Sequence, residues 1–310
     1  MDSLKFSILI PAYKSSYLAE CLDSILAQTY PNFEVIVLND ASPEPIKDIM
    51  RTYEDSRILY YENDKNVGAE NVVNNWNKCL NLSSGDYVIC IGDDDKLKSN
   101  CLAEYNRLIS SHPGIGLLHG WTEIINENSE VTALGSHRCE SESAMSLLWH
   151  RTLLYARQFV GDFCFKSSVL KGMGGFFFLP LAWGSDDIST VLAASENGVV
   201  NTQIPVFQYR VNSQTISRSG NATLKMNAML LREKWFDDYL KVKCENTQDE
   251  IYRLELVQKK ASYFRRIKTD TVIIDLRNNG CLNIIKWYKN RSKYNLTAKD
   301  LMKALLASLN

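Results

Sequence analysis

The sequence predicts an α/β fold in which helices cover both faces of a mostly parallel central sheet, followed by a helical extension. Apolar runs rich in β-forming residues alternate with amphipathic helical patterns over the first 125 residues. Strands that are separated by single helices are typical of a parallel, three-layer sheet. The runs carry apolar residues on both faces, as expected for strands that lie between two helical layers.

Each element in this first part has its own signal. The strand at 6–13 contains Pro11 near its end, and the helix at 17–28 places Leu18, Leu22 and Ile25 on one face. Further strands are predicted at 33–40, 57–64, 86–95 and 115–125, with helices from Pro45 to about residue 53, at 72–80 and at 98–111.

The pattern is less regular over residues 127–182. Residues 171–187 form a glycine-hinged, aromatic-rich segment that is suited to a lid or an acceptor wall. A helix is predicted at 188–198, and a strand pair broken by Pro205 follows it.

From about residue 222 the pattern is helical, apart from a short run at 271–276. We therefore predict a domain at 1–221 and a helical C-terminal extension at 222–310. The domain would divide into a nucleotide-binding half, 1–97, and an acceptor half, 98–221.

Composition excludes several classes of protein. With 310 residues, 45% of them hydrophobic and 23% charged, the chain can bury a core without disulfide bonds. No stretch approaches the roughly 20 apolar residues of a membrane span, and the N-terminus is predicted as a strand rather than a signal peptide. The 8 cysteines are scattered without CxxC pairs. This predicts reduced thiols, a cytoplasmic location and no zinc site.

Charge is unevenly distributed along the chain. The formal net charge is −1, but residues 225–310 hold 18 basic and 10 acidic residues. The aromatic and basic run at 286–293 is compatible with peripheral contact to an anionic membrane. A helical appendage with a solvated basic face is the alternative. No nucleic-acid partner is expected, because the whole chain is nearly neutral and no known binding module is present.

Three adjacent carboxylates, Asp93, Asp94 and Asp95, end the fourth predicted strand. Like charges this close repel one another, and a stable fold rarely collects them without a cation. Mg²⁺ and Mn²⁺ prefer carboxylate and phosphate oxygens, and a metal held by one or two carboxylates keeps positions open for a diphosphate. A solvated acidic turn is the alternative. Ligands of such sheets bind at the carboxyl ends of the strands, where Tyr13 and Asp40 also lie.

The order of motifs over residues 5–97 resembles family 2 of the inverting glycosyltransferases, which have the GT-A fold. SILIPAYK resembles the family's opening strand, and QTYPNFEVIVLNDAS its second strand with the Asp-x-Ser end. NVGAENVVNNWNKCLNLSSGDYVICIGDDD is similar to the Asn-x-Gly, helix and DxD series. Each motif alone is weak, whereas their order and spacing together are specific. The resemblance implies a GT-A-type three-layer sandwich and says little about 222–310.

The resemblance also implies roles for individual residues. Tyr13 would stack on the nucleobase, and Asp40 would hydrogen-bond the edge of the base. Asp94 would bind Mn²⁺ or Mg²⁺, with Asp93 close to the ribose or the metal. The matched motifs add nucleotide-sugar contacts at Pro11, Asn66 and Gly68.

This chain departs from the family pattern at three places. Gly92 occupies the position of the first DxD carboxylate, Asn39 replaces a common Asp, and Lys14 replaces a frequent Asn. The first of these departures weakens the expected affinity for the metal.

A second acidic pair, Asp186 and Asp187, lies in the sequence WGSDD. An inverting transfer needs one general base to take the proton of the acceptor hydroxyl. The resemblance places that base in an acidic pair at the start of a helix, where Asp186 fits best and Asp187 is the alternative. Capping of the helix by Ser185 or Asp186 is the structural interpretation.

The segment YRVNSQTIS at 209–217 resembles the family's loop over the diphosphate. Arg210 and Ser217 match that loop, and Asn212 replaces a common His. Arg210 would face a phosphate, with a structural salt bridge as the alternative. Sugar stacking on Trp121, Trp183 or Phe176–Phe178 is weighed against ordinary core packing of these aromatic residues.

Together these features predict an inverting, metal-dependent glycosyltransferase. Its donor would be a nucleotide-diphosphate sugar, by base rate a UDP-sugar, and its acceptor a saccharide or a lipid-linked glycan. A catalytically silent sugar-nucleotide-binding module is one alternative. A sugar-nucleotide pyrophosphorylase is another, although its glycine-rich loop is absent after the first strand. The sequence indicates no oligomeric state.

Overall fold

One sheet of ten strands carries the fold in the computed structural model, which describes residues 4–154, 156–212 and 221–309. The strands are β1 Phe6–Ala12, β2 Phe33–Asn39, β3 Ile58–Glu62, β4 Tyr87–Cys90, β5 Lys96–Leu97, β6 Leu117–Ile125, β7 Val131–Leu134, β8 Ser141–Glu142, β9 Phe163–Lys166 and β10 Val199–Arg210. Their order is β3-β2-β1-β4-β9-β6-β10-β5, with β7 paired to β6 and β8 paired to β10.

The first four strands in this order, β3, β2, β1 and β4, pair in parallel. Phe6 of β1 lies opposite Phe33 of β2 and Tyr87 of β4, and all seven residues of β2 are buried. Such strands need a helical layer on each face. This half of the sheet confirms the predicted α/β arrangement and brings the carboxyl ends of four strands to one edge.

The second half of the sheet is mixed. β9 is antiparallel to both of its neighbours, β4 and β6, whereas β10 runs parallel to β6. The predicted strand pair at 199–211 is wrong, because one continuous strand crosses Pro205. The register against β6 shifts on both sides of Pro205. A proline has no N–H to give to the ladder, and an irregularity absorbs this loss without ending the strand.

Helices form the two outer layers. The helices are α1 Leu18–Leu26, α2 Ile46–Met50, α3 Val72–Leu82, α4 Cys101–Ser111, α5 Ala144–Leu153, α6 Ser167–Gly172, α7 Ser185–Ala193, α8 Ala222–Tyr239, α9 Thr247–Asn279, α10 Ile284–Asn290 and α11 Ala298–Ser308. One buried cluster joins α1, α2 and α4 to the sheet, and a second joins α3, α5 and α7 to the other face. Within the described residues, no helix has both the length and the apolar character needed to cross a membrane.

The long helix α9 includes the run at 271–276. The expected interruption there is wrong, because Val272 and Leu276, one helical turn apart, are both buried. β-branched residues lower helix propensity only by a few tenths of a kcal/mol per residue. Burial of this apolar face outweighs that cost.

The C-terminal helices share a core with the sheet. Phe236 of α8 and Leu256 and Phe264 of α9 are fully buried or nearly so, in the same cluster as Leu147 of α5 and Val191 of α7. The domain boundary between residues 221 and 222 stays a prediction. The shared cluster indicates that the helices on either side of it fold together.

We expect Phe264→Ala to destabilise the whole chain, because the phenyl ring fills the shared core. The free energy of unfolding should fall by about 3–5 kcal/mol, measured by chemical denaturation with fluorescence and circular dichroism in parallel. Leu282→Ala is the control, since Leu282 is 84% exposed and should change stability by less than about 0.5 kcal/mol. Two separate transitions, of which only one shifts, would instead indicate an independent extension.

Candidate active site

Hydrogen bonds tie together the loops at the carboxyl ends of the parallel strands. Oδ2 of Asp93, after β4, accepts hydrogen bonds from the N–H groups of Tyr13 and Lys14, after β1, at 2.7 Å each. The N–H of Asp40, after β2, donates to the carbonyl of Ala12 at 3.0 Å. Three predicted nucleotide-binding residues, Tyr13, Asp40 and Asp93, therefore lie along one edge of the sheet.

Asp40, Asn66 and Gly68 form a hydrogen-bonded group beside this edge. Oδ1 of the buried Asp40 accepts hydrogen bonds from Nδ2 of Asn63 at 2.8 Å and from the N–H of Val67 at 3.0 Å. Nδ2 of Asn66 donates to the carbonyl of Asp40 at 3.1 Å, and its Oδ1 accepts from the N–H of Gly68 at 2.5 Å. Gly68 has a φ of 80°, a backbone conformation that residues other than glycine rarely adopt.

Tyr13 is an exposed aromatic residue at the strand edge, with 43% of its surface accessible. Its N–H is fixed by Asp93, and its carbonyl accepts a hydrogen bond from Oγ of Ser42 at 2.5 Å. Pro11 lies just before it in β1, opposite Leu38 of β2. An exposed ring on a backbone held from two sides is suited to stack on a flat ligand. Contact with a nucleobase stays a prediction.

The three carboxylates of the triplet have different surroundings. Burial and the charge of Asp94 raise the pKa of Asp93 to about 6. The same causes raise the pKa of Asp95 well above its usual value, and its Oδ1 accepts a hydrogen bond from the N–H of Arg210 at 2.8 Å. Asp94 is partly exposed, and its Oδ2 accepts from Nδ2 of Asn212 at 2.8 Å. Asp94 is therefore the member of the triplet most open to a ligand.

The packing of the triplet accounts for Gly92 at the first DxD position. A Cβ atom at Gly92 would lie 2.9 Å from Oδ1 of Asp94 and 3.0 Å from Oδ2 of Asp95. Both carboxylates fold back over the glycine, so a side chain there would displace them.

The triplet fits a divalent cation with few protein ligands. Among the described residues, no group of three or more His, Cys, Asp or Glu side chains is arranged to hold a metal ion. Asp94, with Asp93 beside it, offers carboxylate oxygens of the kind that Mg²⁺ and Mn²⁺ prefer. Burial is the main cause of the raised pKa of Asp93, and the negative charge of Asp94 adds to it.

Arg210 is a buried residue with many hydrogen-bond partners. The residue is fully buried, and its guanidinium carbon lies 4.1 Å from the ring centroid of Tyr17. Its guanidinium N–H groups donate, at 2.8 to 3.3 Å, to the carbonyls of Asp94, Asn126 and Glu127, to Oε2 of Glu20 and to Oγ of Ser129. These contacts favour a structural salt bridge between Arg210 and Glu20. A contact between Arg210 and a phosphate stays a prediction.

Asp187 lies almost fully buried between two arginines. Oδ1 accepts hydrogen bonds from Nε of Arg151 at 2.7 Å and Nε2 of Gln158 at 2.9 Å. Nη2 of Arg232 is 2.7 Å from Oδ2, an ion pair without hydrogen-bond geometry. Burial alone would raise the pKa of Asp187, but the charges of Arg151 and Arg232 hold it below its usual value.

Asp186 has the opposite environment. Burial and the charge of Asp187 raise its pKa to about 7, against the opposing charge of Arg151. Asp187 therefore stays ionised, while Asp186 can exchange a proton near neutral pH. This difference favours Asp186 over Asp187 as a general base.

The loop before Asp186 is held in an unusual backbone conformation. Leu181, Ala182 and Gly184 have φ values of 59°, 53° and 93°, and a Cβ atom at Gly184 would lie 2.8 Å from Cδ of Arg232. Strained backbone of this kind persists where the surroundings hold it and is frequent at active sites. The N-cap of α7 is Gly184 rather than Ser185 or Asp186, although the carboxyl group of Asp186 accepts a hydrogen bond from the N–H of Asp187 in the first turn.

Tyr209 is influenced electrostatically by both acidic centres. Burial raises the pKa of its hydroxyl, and the negative charges of Asp95, Asp94 and Asp186 raise it further. Its ring stacks on Phe159 with centroids 3.6 Å apart. The triplet and the acidic pair therefore both lie within electrostatic reach of one side chain.

Several of these partners were not found from the sequence. Arg151 and Arg232 lie 36 and 45 positions from Asp187, in helices whose patterns carry no catalytic signal. Tyr209 belongs to the motif at 209–217, but the sequence alone indicates no role for it. Ser217 lies outside the described residues.

The aromatic residues predicted to form a sugar-stacking platform lie in different environments. Phe176 is buried in the core, whereas Phe178 is 42% exposed. Nε1 of Trp121 donates to the carbonyl of Gly135 at 2.9 Å. The ring of Trp183 lies 4.6 Å from Nζ of Lys225, in the loop before Asp186.

Two solved structures resemble this chain in fold. TarS 1-349 of S. aureus, in complex with UDP-GlcNAc, matches with a TM-score of 0.65 at 14% identity, over 99% of this chain and 91% of that one. The mannosyltransferase PcManGT of Pyrobaculum calidifontis, in complex with GDP-Man and Mn²⁺, matches with a TM-score of 0.57 at 16% identity, over 98% and 85%. This likeness confirms the predicted GT-A-type α/β fold with C-terminal helices.

Curated relatives match less than half of the chain. Glycosyltransferase GlyA of Streptococcus pneumoniae is 37% identical over 99 residues, which are 31% of this chain and 14% of the relative. The UDP-Glc:alpha-D-GlcNAc-diphosphoundecaprenol beta-1,3-glucosyltransferase WfgD of Escherichia coli is 30% identical over 132 residues, 42% of this chain and 51% of the relative. The matched part thus spans about half or less of the length of these relatives.

The family assignment rests on the region that contains the strand-edge residues and the triplet. Residues 7–164, half of the chain, match the model of the family described as glycosyl transferase family 2, and the chain belongs to that family.

Proposed function

We propose that this protein is an inverting glycosyltransferase that moves a sugar from a nucleotide-diphosphate sugar to a hydroxyl group of a saccharide or lipid-linked acceptor. The observation that carries the proposal is the electrostatic environment of Asp186. Its carboxyl group has a pKa of about 7, stands beside the ionised Asp187, and acts electrostatically on the same tyrosine as the triplet. A carboxyl group whose pKa is raised toward neutrality suits proton transfer in the transition state.

The reaction is a single displacement at the anomeric carbon. Asp186 accepts the proton of the acceptor hydroxyl while the hydroxyl oxygen forms its bond to that carbon. The bond from the carbon to the diphosphate oxygen breaks on the opposite face, and the diphosphate leaves with the electron pair. Attack opposite to the leaving group inverts the anomeric configuration.

The donor is held at the edge of the parallel strands. Tyr13 offers an exposed ring for the base, and Asp40, with Asn66 and Gly68 beside it, forms a polar wall next to that ring. We infer a UDP-sugar, because the name of WfgD and the complex of TarS contain UDP-sugars. The diphosphoundecaprenol in the name of WfgD supports a lipid-linked acceptor.

A divalent cation, Mn²⁺ or Mg²⁺, would be held by Asp94 with Asp93 beside it. When bound, it supplies Lewis-acid stabilisation of the negative charge on the departing diphosphate. Asn212 orients Asp94 through its hydrogen bond to Oδ2, and the N–H groups of Tyr13 and Lys14 hold Asp93.

A catalytically silent sugar-nucleotide-binding module is the second candidate. It is favoured by the missing carboxylate at Gly92 and by the use of Oδ2 of Asp93 within the protein. Turnover of a donor separates the two candidates. A pyrophosphorylase, which transfers a nucleotidyl group, is disfavoured, because the chain belongs to a glycosyltransferase family and lacks the glycine-rich loop.

We expect Asp94→Ala to lower the rate of UDP-sugar hydrolysis by about 100-fold or more, because a metal ligand of the diphosphate is lost. The measurement is UDP release in the presence of Mn²⁺ across a panel of donors, with Mn²⁺ affinity determined in parallel. The control is Asp64→Ala, which removes an exposed carboxylate after β3. Unchanged Mn²⁺ affinity in Asp94→Ala contradicts the metal assignment, and no turnover of any donor by the wild-type protein favours the silent module.

We expect transfer activity to fall as the pH decreases through about 7, because Asp186 becomes protonated. Arg151→Gln removes a positive charge that lowers the pKa of Asp186, so the acidic limb of kcat/KM should move to higher pH. Asp186→Asn should lower kcat by about 10²- to 10⁴-fold.

The control for the pH profile is Arg107→Gln, which removes an exposed arginine of α4. Thermal unfolding of each variant shows whether the fold is kept. If the acidic limb does not shift in Arg151→Gln, or if Asp186→Asn transfers at a normal rate, Asp186 is not the general base.

We further propose that the protein is cytoplasmic and binds the membrane surface through the region around α10. Leu282, Ile285 and Tyr288 are 84%, 55% and 51% exposed, next to the exposed Lys286 and Lys289. Apolar side chains beside lysines are suited to an anionic lipid interface, where each contact of a basic residue contributes about 1 kcal/mol.

We expect cosedimentation with vesicles of phosphatidylcholine and phosphatidylglycerol, but not with phosphatidylcholine alone. Ile285→Ser should weaken this binding, because an apolar anchor is lost. Val242→Ser is the control, since Val242 is 72% exposed but precedes the other end of the 33-residue helix α9, roughly 50 Å away. Equal binding to both vesicle types, or by both variants, contradicts the membrane proposal.

A further inference from the structure

A group of hydrogen-bonded side chains joins helix α3 to Asp40 at the strand edge. Asn63, directly after β3, is 8% exposed, and Asn75 of α3 is 3% exposed. Nδ2 of Asn63 donates to Oδ1 of Asp40 at 2.8 Å and to Oδ1 of Asn75 at 3.0 Å. Oδ1 of Asn63 accepts from Nζ of Lys78, one turn after Asn75, at 2.6 Å. The proposed transfer uses Asp40 but gives no role to the other three residues.

The partners of Asn63 fix the direction in which its amide points. An ammonium group only donates hydrogen bonds, whereas a carboxylate only accepts them. The amide oxygen must therefore face Lys78, and the amide NH₂ group must face Asp40. The N–H of Asn63 also donates to the carbonyl of Asn39 at 2.9 Å. Asn63 is thus held at its backbone and at both ends of its amide.

The two oxygens of Asp40 differ as a result. Oδ1 accepts hydrogen bonds from Asn63 and from the N–H of Val67, at 2.8 and 3.0 Å. Within the part of the chain that the structure describes, no group donates to Oδ2, and Oδ2 is not among the polar atoms that are buried without a partner. Asp40 therefore offers one accessible oxygen, and two N–H groups on the other oxygen set its orientation.

Asp40 lies next to the exposed ring of Tyr13. The N–H of Asp40 donates to the carbonyl of Ala12 at 3.0 Å, and Oγ of Ser42 donates to the carbonyl of Tyr13 at 2.5 Å. A base that stacks on Tyr13 can thus turn its polar edge toward Asp40. Uracil and guanine carry a ring N–H on that edge, whereas cytosine and adenine carry a ring nitrogen with a lone pair. A group that only accepts hydrogen bonds favours the first pair of bases.

We propose that Asn63, held by Lys78 and Asn75, is a positioning residue that makes Asp40 a fixed acceptor for a ring N–H. The donor site then selects uracil or guanine nucleotides over cytosine and adenine nucleotides. This inference rests on the proposed transferase function and names the class of base in its donor. With uracil, the N–H at N3 donates to Oδ2 of Asp40. Asn63 and Lys78 act through Asp40 and do not touch the base.

The test is calorimetric binding of nucleoside diphosphates with Mg²⁺, which does not depend on turnover. The probes are UDP, CDP and 3-methyl-UDP, in which a methyl group replaces the hydrogen at N3. UDP should bind the wild-type protein about tenfold or more tighter than the other two, because they cannot make the hydrogen bond to the charged carboxylate. Equal binding of UDP and CDP, or tighter binding of CDP, overturns the selection for a ring N–H.

Asp40→Asn should invert the preference between UDP and CDP. The oxygen of the new amide accepts from the N–H groups of Asn63 and Val67, so its NH₂ group takes the place of Oδ2. A donor then faces the base, and CDP, with an acceptor at N3, should bind about threefold or more tighter than UDP. Equal weakening of both nucleotides would indicate a purely structural role and overturns the proposal.

Asn63→Leu should lower the preference for UDP over CDP by about threefold or more, because one N–H that orients Asp40 is lost. Lys78→Met should change the preference in the same direction and to a smaller extent. Asn74→Leu, at an exposed asparagine of α3, is the control and should keep the wild-type preference. Thermal unfolding of each variant shows whether the fold is kept.

An unchanged preference in a folded Asn63→Leu variant overturns the positioning role, and an unchanged preference in Lys78→Met removes Lys78 from it. Lys78 is exposed, so its variant tests the group even if Asn63→Leu does not fold. Hydrolysis of UDP-sugars is measured separately. If hydrolysis occurs while UDP and CDP bind equally, the positioning inference is wrong and the transferase proposal stands. If the preference inverts in Asp40→Asn but no donor is turned over, the inference stands and the transferase proposal is wrong.

Discussion

The ion pairs of Asp187 with Arg151 and Arg232 are the interaction on which the acidic centre depends. A buried carboxylate costs several kcal/mol of desolvation, and loss of one partner would leave charge uncompensated. The charges of both arginines favour the ionised form of Asp187, and the ionised Asp187 in turn raises the pKa of Asp186. The acidic pair thus divides into one residue that holds the structure and one that can exchange a proton.

The same division of roles is found at the strand edge. Asp93 and Asp95 bind backbone N–H groups of the loop after β1 and of the end of β10, whereas Asp94 keeps partial exposure. Arg210 adds a buried cation that links Asp94 to Glu20. Carboxylates that fix the loops therefore surround the one that is open to a ligand, and rigid supports of this kind keep a site in its productive geometry.

The C-terminal helices contribute to the site as well as to stability. α8 supplies Arg232 to the acidic pair, and its Phe236 packs in the core shared with α5 and α7. Helices 222–239 and 247–279 therefore complete the region around Asp186, while the strand edge is built from the first hundred residues. The two acidic centres are therefore supported by different parts of the chain.

Patterns in the amino-acid sequence are enough to predict the α/β fold, the strand-edge residues and the two acidic centres. These depend on local apolar patterns and on motifs of a few adjacent residues, which are visible without knowing what packs against them. The remaining features depend on which elements pack together in three dimensions. Residues 271–276 stay helical because one face of the helix is buried. Strand β10 continues past Pro205 because its register against β6 shifts there. Which aspartate of the pair can titrate depends on Arg151 and Arg232, whose charges reach Asp187 only after helices distant in sequence pack together.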